Sequence, residues 1–271
     1  MKDQSAEYLL GINEEELDRL RFQHGVWGGV TSDFFDRLKI GLGQKCLDVG
    51  AGPGFVSMDL MRRVGATGEI TALEPSKMYL DWFAQHAKKN GWKNVKFINA
   101  SAEEAELPQR HFDFIFARWV IAFVPDPEKF LVKLFSALRP GGILAIQDYY
   151  YEGLSLFPHG GPFDNMADVV RAYYRTGGGD AYVTWRIPSL FRKHGLRTID
   201  FTPHSLAGGP DSGVMEWAQR FFAVHTQHMV EKKLITQEEG NAVIADWQAH
   251  RANPDALFFS PIVVDVAGVL Q

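Results

Sequence analysis

Short apolar runs alternate with amphipathic stretches through the first 150 residues. "KCLDV" (Lys45–Val49) predicts a buried strand, followed by a glycine-rich loop. Val56, Leu60 and Val64 then fall at i, i+4 and i+8 on one helical face, and Gly65 is placed to end that helix. "ITALE" (Ile70–Glu74) predicts the second strand, and Ser76 suits the cap of a helix running to Asn90 and closed by Gly91. "VKFIN" (Val95–Asn99), "FDFIFA" (Phe112–Ala117) and "ILAIQD" (Ile143–Asp148) predict the next three strands. Asp126-Pro127 opens a helix as N-cap and first helical residue, and Pro140-Gly141-Gly142 closes it. Upstream, Asn13 and Glu16 make a capping-box pattern, with Glu14, Glu15 and Glu16 in a first turn whose dipole favours anions. That first helix is predicted to stop at Gly25.

After Asp148 the alternation breaks into an aromatic stretch rich in glycine and proline, "YYYEGLSLFPHGGPFDN". Helices are predicted over 164–175, 188–194, 213–233 and 237–250. Strands are predicted in "LRTIDFTPH" and "DALFFSPIVVDVAG". Strands joined by crossovers imply a parallel, doubly wound α/β sheet, with ligands at the carboxyl ends of the strands.

Composition narrows the classes. The chain has 271 residues, a formal net charge of −5 and one cysteine, Cys46, in an apolar setting that suggests a core residue. Basic residues come as isolated pairs rather than a stripe, so no nucleic-acid partner is expected. No apolar run approaches the roughly 18 residues of a membrane span, and no signal-peptide pattern opens the chain, so no membrane partner and a cytoplasmic location are expected.

The loop "LDVGAGPGF" (Leu47–Phe55) carries Gly50, Gly52 and Gly54. A dinucleotide fingerprint would need a third glycine where Phe55 stands, and no Walker lysine follows. With the later motifs, the loop resembles that of the class I S-adenosylmethionine-dependent methyltransferases, in their small-molecule branch. "ALEPS", "NASAEEAELPQRHFDFIFARWVIAFVPDP" and "LFSALRPGGILAIQD" follow in that family's order. The resemblance implies a mostly parallel seven-stranded sheet, with an N-terminal helical lid (1–30), a cofactor-binding core (31–150), and cap helices with the last two strands (151–271). It implies S-adenosylmethionine as cofactor. Asp48, Gly50, Gly52, Gly54, Glu74, Pro75, Ser76, Met78, Ser101, Ala102, Ala117 and Arg118 would bind it, with Glu74 on the ribose hydroxyls. Tyr8, Glu16, Arg19, Leu20 and Gln23 match a segment that covers the cofactor in one branch, which would bring Tyr8 and Gln23 over its methionine end. A plain amphipathic helix with Leu17, Leu20 and Trp27 on the sheet fits the same residues.

Methyl transfer from an activated donor rests largely on positioning, and no triad is visible. Asp148, Tyr149 and His159 are the candidates for a base or hydrogen-bonding group. Trp119, Phe123, Tyr150, Trp217 and Phe221 are candidate walls of an acceptor pocket for a small molecule. His225 and His228 lie at i, i+3 with no third ligand apparent, so no metal is expected. A catalytically silent cofactor-binding protein, a nicotinamide-dependent oxidoreductase and a polyamine synthase are the alternatives; the last lacks an acidic pair after the fourth strand. A monomer or homodimer is expected.

Overall fold

The computed structural model describes residues 14–271. Strands β1 (Lys45–Val49), β2 (Glu69–Leu73), β3 (Val95–Ile98), β4 (Phe112–Arg118), β5 (Leu138–Tyr150), β7 (Leu196–His204) and β10 (Ile262–Leu270) form one sheet in the order β3-β2-β1-β4-β5-β10-β7. The pairings from β3 to β5 are parallel, and β10 is antiparallel to both β5 and β7. This is the doubly wound, mostly parallel seven-stranded sheet implied by the sequence. Three short strands, β6 (Ser155–Phe157), β8 (Ala207–Gly208) and β9 (Leu257–Phe259), make a second small sheet. The predicted final strand is therefore two strands, β9 and β10, separated at Ser260-Pro261.

The early helices follow their caps. Helix α2 (Phe55–Val64) buries Val56, Leu60 and Val64 and ends at Gly65. Helix α3 (Lys77–Lys89) starts at Ser76, whose hydroxyl accepts the Tyr79 N–H, and α4 (Pro127–Ala137) starts at Asp126 in the same way. Pro140-Gly141-Gly142 does not close α4; it lies inside β5, where the pairing with β4 shifts register.

Helix α1 (Glu14–Arg37) corrects the expected stop at Gly25. Gly25, Gly28 and Gly29 all stay helical because the turns beyond them bury Trp27, Thr31, Phe34 and Phe35, and packing outweighs the glycine cost of about 1 kcal/mol each. Residue 30, the expected edge of a lid, falls in mid-helix. The buried face of the first turns is polar, made by Glu16, Arg19 and Gln23, while Leu17 and Leu20 are only half buried.

A chain of hydrogen bonds fastens α1 to the sheet. Arg118 donates to Thr31 Oγ1 at 2.9 Å, and Thr31 donates to Gln147 Oε1 at 2.6 Å. Gln147 donates to Asp265 at 2.6 Å, and Asp265 also receives Arg37 at 2.7 Å and His204 at 2.8 Å. The second half of the chain adds α5 (Met166–Thr176), α6 (Ile187–Lys193), α7 (Gly213–Glu231) and α8 (Gln237–Ala252). Of these, α7 packs on α1 and α8 on α7. No helix of the described residues is long and apolar enough to cross a membrane.

Candidate active site

The carboxyl ends of β1, β2 and β4 carry most of the residues singled out above. Gly50, Gly52 and Gly54 all have positive φ, and two of them are enclosed. A Cβ at Gly50 would strike Val120, and one at Gly54 would strike the Phe83 ring. Gly52 instead has nothing within 4 Å of its Cβ position, so the backbone there is open to a ligand. Phe55 rests on His24 of α1 (ring centroids 5.6 Å) and Trp82 of α3 (5.6 Å), which is why no third glycine is needed.

Glu74 directly follows β2 and is 3% exposed. Its Oε2 accepts the Gly52 N–H and its Oε1 the Ser76 N–H, both at 2.9 Å. Burial pushes its carboxyl above the usual carboxylate range, and the two N–H groups oppose that shift. Each oxygen keeps a lone pair for a ligand hydroxyl.

Asp48 is buried and takes the Ser57 hydroxyl at 2.6 Å, so it ties β1 to α2. Burial pushes its carboxyl up to about 7, against the pull of Ser57 and Arg118. The folded state then holds this proton more tightly than the unfolded chain does. Its contribution to stability is complete below the ordinary value of 3.8 and is lost as pH rises through about 7. In thermal melts, Asp48→Asn should therefore gain on the parent protein between about pH 4 and about pH 7. A difference that stays flat over that range refutes the shift.

Arg118, at the end of β4, is drawn down to about 10, mainly by burial. It contacts Thr31 Oγ1 and His24 Nδ1 (3.1 Å), and lies 4.5 Å over the Trp119 ring. No carboxylate of the described residues bonds to it, which leaves a half-buried cation beside the glycine loop. Gln23 lies near the same end. Its Oε1 takes Arg19 and Trp217 Nε1, each at 3.1 Å, and its amide N–H groups bond to no described residue.

The other candidates divide. Ala117 is fully buried beside Val49. Ser101 closes a turn by accepting the Glu104 N–H at 3.2 Å, with Ala102 half buried behind it. Pro75 and Met78 are exposed at the rim. Tyr8 lies outside the described residues.

Two candidate bases are not placed to act as such. Asp148 is fully buried and spends its carboxylate on the backbone N–H groups of Tyr149 (2.8 Å) and Ala122 (3.2 Å), so it pins the turn after β4. His159 stands on an outer loop, with its side chain 62% exposed beside Asp164. Tyr149 does face inward. Strand alternation turns Tyr150 to the opposite face, where it packs on Tyr182 (5.2 Å) instead of joining the other aromatic candidates. Trp119, Phe123, Trp217 and Phe221 line the interior around Tyr149, Tyr174 and His225. Tyr174 has no signal in the sequence that marks it as a site residue, whereas His225 shares a helical face with Trp217 and Phe221 as a candidate cavity wall. The helical spacing of Trp217, Phe221 and His225 was the available signal. Among the described residues no three histidine, cysteine or acidic side chains cluster to hold a metal.

A family model described as a methyltransferase domain matches residues 41–173. Over that stretch the chain resembles a methyltransferase domain. The chain is 33% identical, over 138 residues, to the ubiquinone/menaquinone biosynthesis C-methyltransferase of Psychromonas ingrahamii. That match covers 49% of this chain and 54% of the relative. The Vibrio parahaemolyticus enzyme of the same name is 32% identical over 127 residues, covering 46% and 48%. The chain thus spans about half the length of these curated relatives.

Solved structures share the fold more widely. A geranyl diphosphate methyltransferase in complex with GPP and sinefungin gives a TM-score of 0.58 at 12% identity, over 93% of this chain and 83% of that one. The phosphoethanolamine N-methyltransferase 2 of Haemonchus contortus gives 0.54 at 19%, over 87% and 52%. The [4+2]-cyclase SpnF gives 0.56 at 18%, over 89% and 80%. The fold is therefore common to methyl transfer and to at least one other chemistry.

Proposed function

We propose that the protein transfers a methyl group from S-adenosylmethionine to a small organic acceptor. The observation that carries this reading is the buried Glu74 carboxylate, held by the Gly52 and Ser76 N–H groups beside the one open glycine of the loop. This donor set suits an uncharged ribose and an amino-acid tail. Glu74 repels phosphate, and the loop offers no lysine to a pyrophosphate. When bound, the cofactor supplies an electrophilic methyl group on a sulfonium. The chain's own residues do the rest. Gly50–Gly54 admit the methionine portion against bare backbone, and Glu74 accepts the ribose hydroxyls. Arg118 and the Gln23 amide offer a cation and N–H donors to the methionine carboxylate. Ser101 and Ala102 border the adenine, Pro75, Ser76 and Met78 the ribose side, and α1 covers the methionine end. Residues 31–150 form the cofactor core, with the lid (1–30) and the acceptor cap (151–271) around it. We assign the protein to the cytoplasm, as a monomer or homodimer without nucleic-acid partners.

Calorimetric titration with S-adenosylmethionine, S-adenosylhomocysteine and NAD tests this reading. The expected result is one sulfur nucleoside bound per chain and no heat from NAD. Binding of NAD with neither sulfur nucleoside would replace methyl transfer by hydride transfer. The fold shared with a cyclase gives a second outcome a place: tight nucleoside binding without label transfer to any acceptor indicates a silent cofactor-binding protein.

A further inference from the structure

Between α1, α5, α7 and the ends of β4 and β5, the protein buries polar atoms that it leaves unpaired. Tyr149, Tyr151 and Tyr174 are each more than nine-tenths buried, and their hydroxyls, which bond to no described residue, keep some accessible surface. Their rings form a triangle with centroids 5.5, 6.1 and 5.8 Å apart. Trp119 stacks on Tyr149 at 6.2 Å with its indole N–H also unpaired, and Phe123 stacks on Tyr174 at 4.9 Å. From α7, the fully buried His225 sets Nδ1 3.4 Å from the Tyr173 hydroxyl and leaves Nε2 without a partner. Arg19 joins the two walls, since its charge acts on Tyr149, Tyr174 and His225 alike. Glu16 offsets that charge through two bonds of 2.6 and 2.7 Å.

Buried polar groups almost always find partners, so two orphans, Trp119 Nε1 and His225 Nε2, beside three unbonded hydroxyls mark where a ligand completes the bonding. The chemistry of that ligand follows from the donors. A phosphate or carboxylate needs a cation; Arg19 is already offset by Glu16, and Arg118, over the Trp119 ring, is the group proposed above for the cofactor's own carboxylate. A bare hydrocarbon would leave the hydroxyls and the imidazole unpaired. A flat ring bearing oxygen fits both the aromatic walls and the polar atoms. We propose that this cluster is the acceptor site and takes an aromatic ring carrying hydroxyl or keto groups. One ring oxygen accepts from the Tyr149 and Tyr174 hydroxyls, and another pairs with His225 Nε2. Calling the ligand the acceptor rests on the methyl-transfer reading above; the ring-binding claim stands on the cluster itself.

The test is calorimetric titration with 4-nitrophenol and with nitrobenzene, which lacks the hydroxyl, with and without saturating S-adenosylhomocysteine. Nitrophenol should bind one per chain and about tenfold or more tighter than nitrobenzene. The Tyr149→Phe/Tyr174→Phe double variant, which keeps the ring shapes, should lose that preference. So should His225→Ala, while His225→Gln, which restores a polar atom, should recover part of it. Affinity for S-adenosylhomocysteine should stay as in the parent. Equal binding of the two rings, no binding of nitrophenol, or a preference that survives in the double variant overturns the proposal. Failure of the parent to bind S-adenosylhomocysteine overturns the methyl-transfer reading alone, since the nucleoside-free titration still decides ring binding.

Discussion

Glu74→Ala is expected to weaken S-adenosylmethionine binding by about 30- to 1,000-fold, or about 2–4 kcal/mol. The loss has two sources. The carboxylate can accept both ribose hydroxyls through its remaining lone pairs, and charged hydrogen bonds of that kind are worth about 1.5–3 kcal/mol each before water replaces them. The same carboxylate holds the Gly52 and Ser76 N–H groups, so its removal also loosens the loop on which the cofactor rests. Glu74→Gln keeps one acceptor oxygen and should fall between the two. Calorimetry gives the affinities, and circular dichroism verifies that the variants stay folded. A folded Glu74→Ala protein with parental affinity would remove Glu74 from the site.

Trp27→Ala should cost about 3–5 kcal/mol of global stability, as removal of large buried side chains does. Trp27 is fully buried at the junction of three elements. It meets Trp119 from the end of β4 at 6.2 Å and Trp217 of α7 at 5.5 Å, both edge to face. Its loss leaves a cavity that α1 cannot close, because Thr31 and Arg37 pin the helix further along. Urea melts should show a lower midpoint with an unchanged slope. A loss below about 1 kcal/mol would mean that the first turns of α1 detach without the core noticing, as a free lid would.

The parallel half of the fold was legible because each element carries both its period and its punctuation. Ser76 and Asp126 cap the helices they were expected to cap, and Glu74 sits where the glycine loop needs an acid. Other features turn on tertiary packing, which no local pattern records. Gly25 resembles a helix stop, yet the apolar residues beyond it hold α1 together. Leu17 and Leu20 resemble the core-facing side of α1, but the buried side is Glu16, Arg19 and Gln23, which pair with one another and with α7. Asp148 has the chemistry of a base, and only the structure shows its oxygens committed to backbone N–H groups. Strands β6, β8 and β9 have two or three residues each, too few to show alternation. Tyr149 and Tyr150 could have been separated, since period two sends neighbours to opposite faces.

The place of β10 has a consequence for synthesis of the chain. Tyr150 of β5 pairs with Ile262, and Ile143 with Val269, so one side of β5 has no partner until roughly a hundred further residues have been made. At about 5–20 residues per second, that interval lasts on the order of 5–20 seconds. Throughout it the nascent protein presents an apolar strand with a free edge, the kind of surface that recruits other strands. Ribosome-bound intermediates of this chain should therefore depend on chaperones far more than the finished sheet does.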